Sequence, residues 1–248
     1  ALLNRDMSKS TALKTDPLNP LSISTSKFEV VSRDHFDFSD TENIYVATRN
    51  GFNVFDRVKK TFKRYFQREG SPLLSSQIKF LHRLTPSTLL IFTEKGINSF
   101  DTLKQEFDKQ MIYFDTPILR IFNVDGDHFL IQSSDKIQLV DVEWLDNPKL
   151  TIKNDFEVDL NSKITLQAEN IFVSSDKQLG AFNTRLELTN TYDLPSEISS
   201  VQTSGSMITV GTADGLYAIN TKVLPVTSTP AGELLFFKNT NPTLCSSF

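Results

Sequence analysis

The sequence predicts an all-β protein, a β-propeller of about six four-stranded blades. Three observations carry this. One short pattern recurs five times, closing at Asp56, Asp101, Asp141, Asn183 and Asn220, at intervals of 45, 40, 42 and 37 residues. Apolar and polar residues alternate with period two, and helical periodicity is absent. Each interval leaves room for two more short strands, and four strands per roughly 40 residues is the spacing of a propeller blade.

The pattern is specific at five positions. Twelve residues before each closing residue stand Ile44, Leu89, Phe129, Ile171 and Ile208. Ten before stand Val46, Ile91, Ile131, Val173 and Val210. Eight before is always a hydroxyl residue: Thr48, Thr93, Ser133, Ser175 and Thr212. Four before stand Phe52, Ile97, Ile137, Leu179 and Leu216, and one before stand Phe55, Phe100, Val140, Phe182 and Ile219. Alternate apolar positions put a strand face into a core, the hydroxyl residue closes that strand, and a tight turn leads to the next. Gly51, Gly96 and Gly215 occupy the turn in three copies, where glycine supplies φ > 0. Lys136 and Gln178 stand there in the other two. A shared turn backbone predicts that Lys136→Gly stabilises the fold, by about 1 kcal/mol.

The remaining strands follow in order. "TFKRYF" (61–66) reads as an outer strand, and "QIKFLHRL" (77–84), "PILRIFN" (117–123), "KITLQAE" (163–169) and "EISSVQT" (197–203) read as opening strands of later blades. "ALLNRD" and "STALKT" read as the last two strands of a preceding blade, and "GELLFFKN" (232–239) as one strand after the fifth copy. Residues 1–248 are thus expected to form a single propeller domain with partial blades at both ends. The ends either combine into a shared sixth blade, removing exposed edges, or mark a piece of a longer array. The chain starts at Ala1, without Met and inside a strand pattern, so we expect an excised or processed piece.

Composition narrows the classes. Hydrophobic residues make up 39% of 248, enough for a core. The net charge of −4 argues against a nucleic-acid partner, which calls for a basic face. Cys245 is the single cysteine, so neither a disulfide framework nor a cysteine metal site is expected. No apolar run approaches the roughly 18–20 residues needed to cross a bilayer, and no signal peptide is visible.

"KTDPLNPLSIST" (14–25) and the stretch from Phe55 to Leu81 resemble the two-component regulator propeller repeat. Asp16, Pro17, Asn19, Pro20, Ser22, Ile23 and Ser24 match its start. Thr48, Gly51, Phe52, Asn53, Phe55 and Asp56 match its middle, and Thr61, Phe62 and Tyr65 its end. Thr93, Gly96, Ile97, Asn98, Phe100 and Asp101 match again, and "SPLLSS" (71–76) echoes the start of the next repeat. The resemblance is good over residues 1–110. The family's tryptophan before the Thr is absent, with Tyr45, Leu90 and Leu130 in that neighbourhood, and the central copies lack glycine.

The resemblance implies a periplasmic input module of a bacterial hybrid histidine kinase or similar transmembrane sensor. Its ligand would be a small molecule such as an oligosaccharide. Such a module would dimerise through neighbouring domains and meet the membrane only through segments outside this chain. The rival is a cytoplasmic protein-interaction scaffold propeller, citron-homology or WD40-like, since "ITVGTADGLYAIN" (208–220) also looks like a blade strand of the citron homology domain. We expect no enzyme, no cofactor and no metal.

No residue is assigned to catalysis, cofactor or metal, and the ligand site is unknown. Four stretches invite such roles. "RVKKTFKRYFQR" (57–68) could be an anion patch but reads as an edge strand guarded by Lys and Arg facing water, with aromatics facing in. "DGDH" (125–128) offers Asp125, Asp127 and His128 to a cation but fits a hairpin turn better. His35, His82 and His128 are scattered without metal-ligand spacing. "RDHFDFSD" (33–40) sets His35 beside Asp34, Asp37 and Asp40; we read it as a solvated turn between the first two strands of a blade, not an acid–base cluster. By topology the turns at 49–51, 94–96, 134–136, 175–177 and 213–215 share one end with the loops joining blades.

Overall fold

Strands form where the alternation lies. The computed structural model describes residues 2–3, 10–11, 14–25, 35–144, 147–167, 170–220 and 234–238. β1 (Leu2–Leu3) pairs antiparallel with β2 (Ser10–Thr11). Five four-stranded sheets follow, each with its strands side by side in chain order. The first holds β3 (Phe36–Asp37), β4 (Asn43–Thr48), β5 (Gly51–Asp56) and β6 (Thr61–Tyr65). The second holds β7 (Ile78–Thr85), β8 (Thr88–Thr93), β9 (Gly96–Asp101) and β10 (Glu106–Tyr113). The third holds β11 (Arg120–Asp125), β12 (His128–Gln132), β13 (Lys136–Glu143) and β14 (Lys149–Glu157). The fourth holds β15 (Lys163–Gln167), β16 (Asn170–Ser175), β17 (Gln178–Phe182) and β18 (Leu188–Asp193). The fifth holds β19 (Ile198–Ser204), β20 (Met207–Thr212), β21 (Gly215–Asn220) and β22 (Leu234–Lys238).

Repeated four-stranded meanders are the blades of a β-propeller, and the fold class is the expected one. Five full blades and one two-stranded pair lie among the described residues. The shared sixth blade does not form from these strands. β22 pairs with β21 as the fourth strand of the fifth blade, and β1 pairs with β2. The chain divides into two compact units: residues 1–122, 131–133 and 141–151, and residues 123–130, 134–140 and 152–248.

Within the first unit, the two middle strands of each of the first two blades bury both faces. Ile44, Val46 and Phe55 join Phe62 and Ile23 in one cluster. Tyr45, Ala47, Phe52 and Val54, on the opposite face, join Leu89, Ile91 and Phe100 of the second blade. The second unit repeats the rule: Phe172, Leu179 and Ala181 of the fourth blade meet Ile208, Val210 and Ile219 of the fifth. In the second and fifth blades the repeat positions twelve, ten and one before the closing residue therefore face the preceding blade, and in the first and fourth the intervening ones face the next. A single blade has two apolar faces and is stable only when stacked. Leu216 breaks the pattern at 49% exposure.

The turn after the first of each strand pair departs from expectation. Gly51, Gly96 and Gly215 do have positive φ, at 109°, 155° and 147°. They are needed a second way, because a Cβ at Gly51 would collide with the Tyr65 carbonyl and one at Gly96 with the Ile112 carbonyl. Lys136 and Gln178 are not among the positive-φ residues; in the fourth blade that conformation falls on Asp176, at 51°. The five turns do not share one backbone, so the expected gain from Lys136→Gly is withdrawn. Non-glycine residues carry the left-handed strain elsewhere, at Lys60, Gln105 and Leu186, with φ of 58°, 54° and 60°. All three lie in the loops that follow the closing residue, Lys60 and Gln105 at their ends.

Candidate functional site

Most residues that make the repeat recognisable hold backbone. Thr48 donates its hydroxyl to the Gly51 carbonyl at 2.7 Å and accepts from the Asn50 N–H at 3.1 Å. Thr93 does the same with Gly96 and Lys95, at 2.9 and 3.1 Å, and Thr212 donates to Gly215 at 3.1 Å. Asp56 Oδ1 accepts from the N–H groups of Val58 and Lys59, and Asp101 Oδ1 from those of Leu103 and Lys104. Hydrogen bonds from the Lys59 and Lys104 N–H groups hold both carboxyls below their ordinary pKa. Asn53 and Asn98 are fully buried. Asn53 accepts from the Ser24 N–H at 2.9 Å and donates to Ser24 Oγ at 2.9 Å. Asn98 accepts from the Leu74 N–H at 3.0 Å and donates to the Pro72 carbonyl at 2.8 Å. Each asparagine thus fastens the segment that leads into its blade.

That segment, residues 14–25, is folded on itself by Asx turns at Asp16 and Asn19 and by the Ser22 hydroxyl. It lies against β6. The Phe62 N–H donates to the Leu21 carbonyl at 2.8 Å. The Arg64 guanidinium donates to the Ser22 and Asn19 carbonyls and to Ser22 Oγ. β6 is an outer strand, as the sequence predicts, but its cations do not all face water. The cause is that the blade buries both faces. Phe62 packs on Phe55 at 4.8 Å, while Tyr65 turns to the other face beside Phe52, Phe100 and Phe107 at 5.7, 5.3 and 5.4 Å. Arg64, between them, is half-buried against the loop. Lys63 Nζ stands 5.0 Å over the Tyr65 ring and 3.4 Å from the Gln105 carbonyl, which also accepts from Tyr65 Oη at 2.9 Å. Burial raises the Tyr65 hydroxyl above its ordinary pKa.

These contacts wall a cleft of about 1170 Å³ along the outer edge of the first blade. Its apolar lining includes Leu21, Tyr65, Phe66, Pro72 and Phe107. Its charged lining includes Lys63, Arg64, Arg68, Glu69 and Glu106.

A second constellation lies between the first two blades. Arg83 on β7 grips Asp37 on β3 with two hydrogen bonds of 3.0 and 2.9 Å. The same guanidinium stacks over the Tyr45 ring at 5.1 Å. Tyr45 Oη donates to Asp40 Oδ2 at 2.8 Å, and Asp40 also accepts from the N–H groups of Glu42 and Asn43. Burial opposes ionisation of Asp37, but hydrogen bonds from Arg83 and Ser39 outweigh it and hold the carboxyl below its ordinary pKa. Burial and then the Asp40 carboxylate push the Tyr45 hydroxyl well above its ordinary value. Residues 33–40 are therefore not simply a solvated turn. They contain β3, and Asp37 is only 9% exposed because the Arg83 pair compensates its burial. Asp34 lies outside the described residues. Asp37 and Asp40 are thus each held by a side-chain partner, Arg83 and Tyr45.

The other candidates resolve as follows. Asp125 and His128 flank a hairpin with Gly126 at φ 41°; their side chains meet at 2.5 Å, and Asn123 donates to the Gly126 carbonyl at 2.9 Å. This is the turn expected from "DGDH". Among the described residues no group of three His, Cys, Asp or Glu could hold a metal ion. Cys245 lies outside the described residues. In the first, second and fourth blades the turn meets the linker that leaves the blade. Gly51 N donates to Ser76 O, Ile118 N to Glu94 O and Ile198 N to Asp176 O, at 2.7, 2.8 and 2.8 Å. There, burial lowers the Lys79 ammonium below its ordinary pKa, Glu94 opposes this and Arg49 adds to it. Lys79 was not legible as a candidate in the sequence, because only the fold brings Arg49 and Glu94 to it.

No family model matches the chain, and no curated protein matches it. Among solved structures it is similar to KlHsv2 with loop 6CD replaced by a Gly-Ser linker, with 15% identity over 80% of this chain and 63% of that one, TM-score 0.48. It is also similar to the Myceliophteria thermophila Cps50 (Swd1) beta-propeller domain, with 14% identity over 80% and 69%, TM-score 0.48. Kluyvelomyces marxianus Hsv2 shows 14% identity over 82% and 78%, TM-score 0.38. The chain thus spans less than two thirds of the first of these. The class this fold defines, an all-β protein built of propeller blades, rests on the strand order.

Proposed function

We propose that this chain is a non-catalytic recognition propeller whose partner is another protein, acting as an interaction scaffold. The observation that supports it is the outer cleft of the first blade, which joins an aromatic floor to cationic walls on a rigid strand. Such a surface suits binding, since aromatic anchors and Arg are the side chains that dominate protein interfaces. The repeat's polar residues hold turns and linkers, so they speak to how a blade is built and leave the partner to surfaces like this one. The test is a binding survey of the intact chain against arrayed peptides, with turnover of glycoside, ester and phosphate-ester substrates measured alongside. Saturable peptide binding without turnover is the expected result; turnover would overturn it.

A second reading is favoured by one specific observation. Residues that resemble the two-component regulator repeat form the same clasp twice, Asn53 holding Ser24 of the Asp16–Ser24 loop and Asn98 holding Pro72 and Leu74. In that reading the chain is an extracytoplasmic sensor module for a small molecule such as an oligosaccharide. In the first reading it is cytoplasmic. A thermal-shift screen against oligosaccharides separates them: a saturable rise in Tm would favour the sensor.

A further inference from the structure

We propose that the outer cleft of the first blade binds an extended, acidic peptide segment of a partner protein. This rests on the recognition reading above and names the partner chemistry for that same cleft.

Charge comes first. Residues 57–68 carry six cationic side chains and no acidic one, in a chain of net charge −4. Lys59 is spent on Asp56, at 3.2 Å. Lys63 contacts only a carbonyl and an aromatic ring, and Arg64 only carbonyls and a hydroxyl. Among the described residues no carboxylate pairs with Lys63, Arg64 or Arg68. Their charge is left to attract an anion, against Glu69 and Glu106 in the same lining.

The backbone then selects a peptide over other anions. The outer edge of β6 already holds main-chain carbonyls of the protein's own residues 19–22, a turn closed by the Ser22 N–H on the Asn19 carbonyl. The Phe62 N–H and the Arg64 guanidinium take three of their main-chain carbonyl contacts. The cleft continues past that segment to Phe66 and Arg68. A strand edge whose N–H takes one main-chain carbonyl has the hydrogen-bond geometry to receive an extended segment further along. Tyr65, Phe66 and Phe107 are only partly buried and would receive an apolar side chain of the same segment.

The test is fluorescence anisotropy on the intact chain with three labelled probes. One is a short peptide alternating Asp or Glu with Leu or Phe. The second replaces its acids with Lys. The third is an oligogalacturonate. Each is titrated onto the native chain and the Lys63→Glu/Arg68→Glu variant, whose altered side chains are exposed and whose thermal melt serves as the folding control. The acidic peptide is expected to bind saturably, about tenfold more weakly to the variant, and more weakly again as salt rises from about 50 to about 300 mM. Failure of the acidic peptide to bind overturns the inference. Binding unchanged by the variant also overturns it, but leaves the protein-recognition reading standing on another surface. Oligogalacturonate binding that the variant abolishes, with neither peptide bound, overturns both and favours the saccharide sensor.

Discussion

Asn53 and Asn98 show why a repeat can be legible while its meaning is not. At the residue scale each is a buried amide that satisfies groups on a linker 24 to 29 residues earlier in the chain. Removing the amide leaves those groups unpaired inside the protein, which costs about 1–3 kcal/mol. Asn53→Ala and Asn98→Ala are each expected to lower unfolding free energy by that amount in urea titration. A change under about 0.5 kcal/mol, the scale of surface substitutions, would refute the clasp. The corresponding positions in the later copies are Gln138, Gly180 and Tyr217, so asparagine stands there only in the first two. Left-handed backbone gives a second residue-scale outcome. Lys60 sits at φ 58°, where an L side chain is strained by about 1–2 kcal/mol. Lys60→Gly is expected to raise Tm, whereas Lys136→Gly is expected to lower it, because glycine there only adds freedom to the unfolded chain. Paired thermal melts of the two variants check the signs.

Strands and turns were read from the sequence because their causes are local: period two, a hydroxyl, a glycine, a closing Asp. The Asp37–Arg83 pair was not, because its members lie 46 residues apart and meet only when β3 and β7 stand side by side. The cleft along β6 was half legible. Its cations and aromatics are contiguous in 57–68, but the loop that occupies Arg64 comes from residues 19–22. At this scale pH is the informative variable. The Asp37 carboxyl is lower in pKa when folded than when free, so its stabilisation is complete above its ordinary value near 3.8. It is lost as pH falls through the lower folded value. Asp37→Asn should cost about 1.5–3 kcal/mol at neutral pH, the range for hydrogen bonds to charged groups. The cost should shrink as the native protein is acidified below its ordinary carboxylate range. Denaturant titrations of both proteins at neutral and acid pH decide this, and a pH-independent difference would mean that Asp37 acts through packing alone.

At the scale of the molecule, stability resides in the faces between blades, since each blade is a thin sheet with two apolar sides. Phe100 is the sharpest example. It is fully buried and meets Phe52, Tyr65 and Phe107 at 5.0, 5.3 and 5.1 Å, so it belongs to two blades at once. Leu216 occupies the same class of repeat position as Phe52 yet is 49% exposed. In stacked repeats, stability is approximately a sum of blade terms and nearest-neighbour interface terms. Phe100→Ala should therefore cost about 3–5 kcal/mol, and Leu216→Ala under about 0.5 kcal/mol. The distribution of that loss is the stronger test. Native-state hydrogen exchange on Phe100→Ala should show the amides of β4, β5, β8 and β9 losing protection together, because the interface they share has lost its central ring. Amides of β16, β17, β20 and β21 pack around a separate cluster and should keep more of theirs. An equal loss across all eight strands would show that the chain unfolds as one cooperative body, and that interface terms cannot be assigned blade by blade.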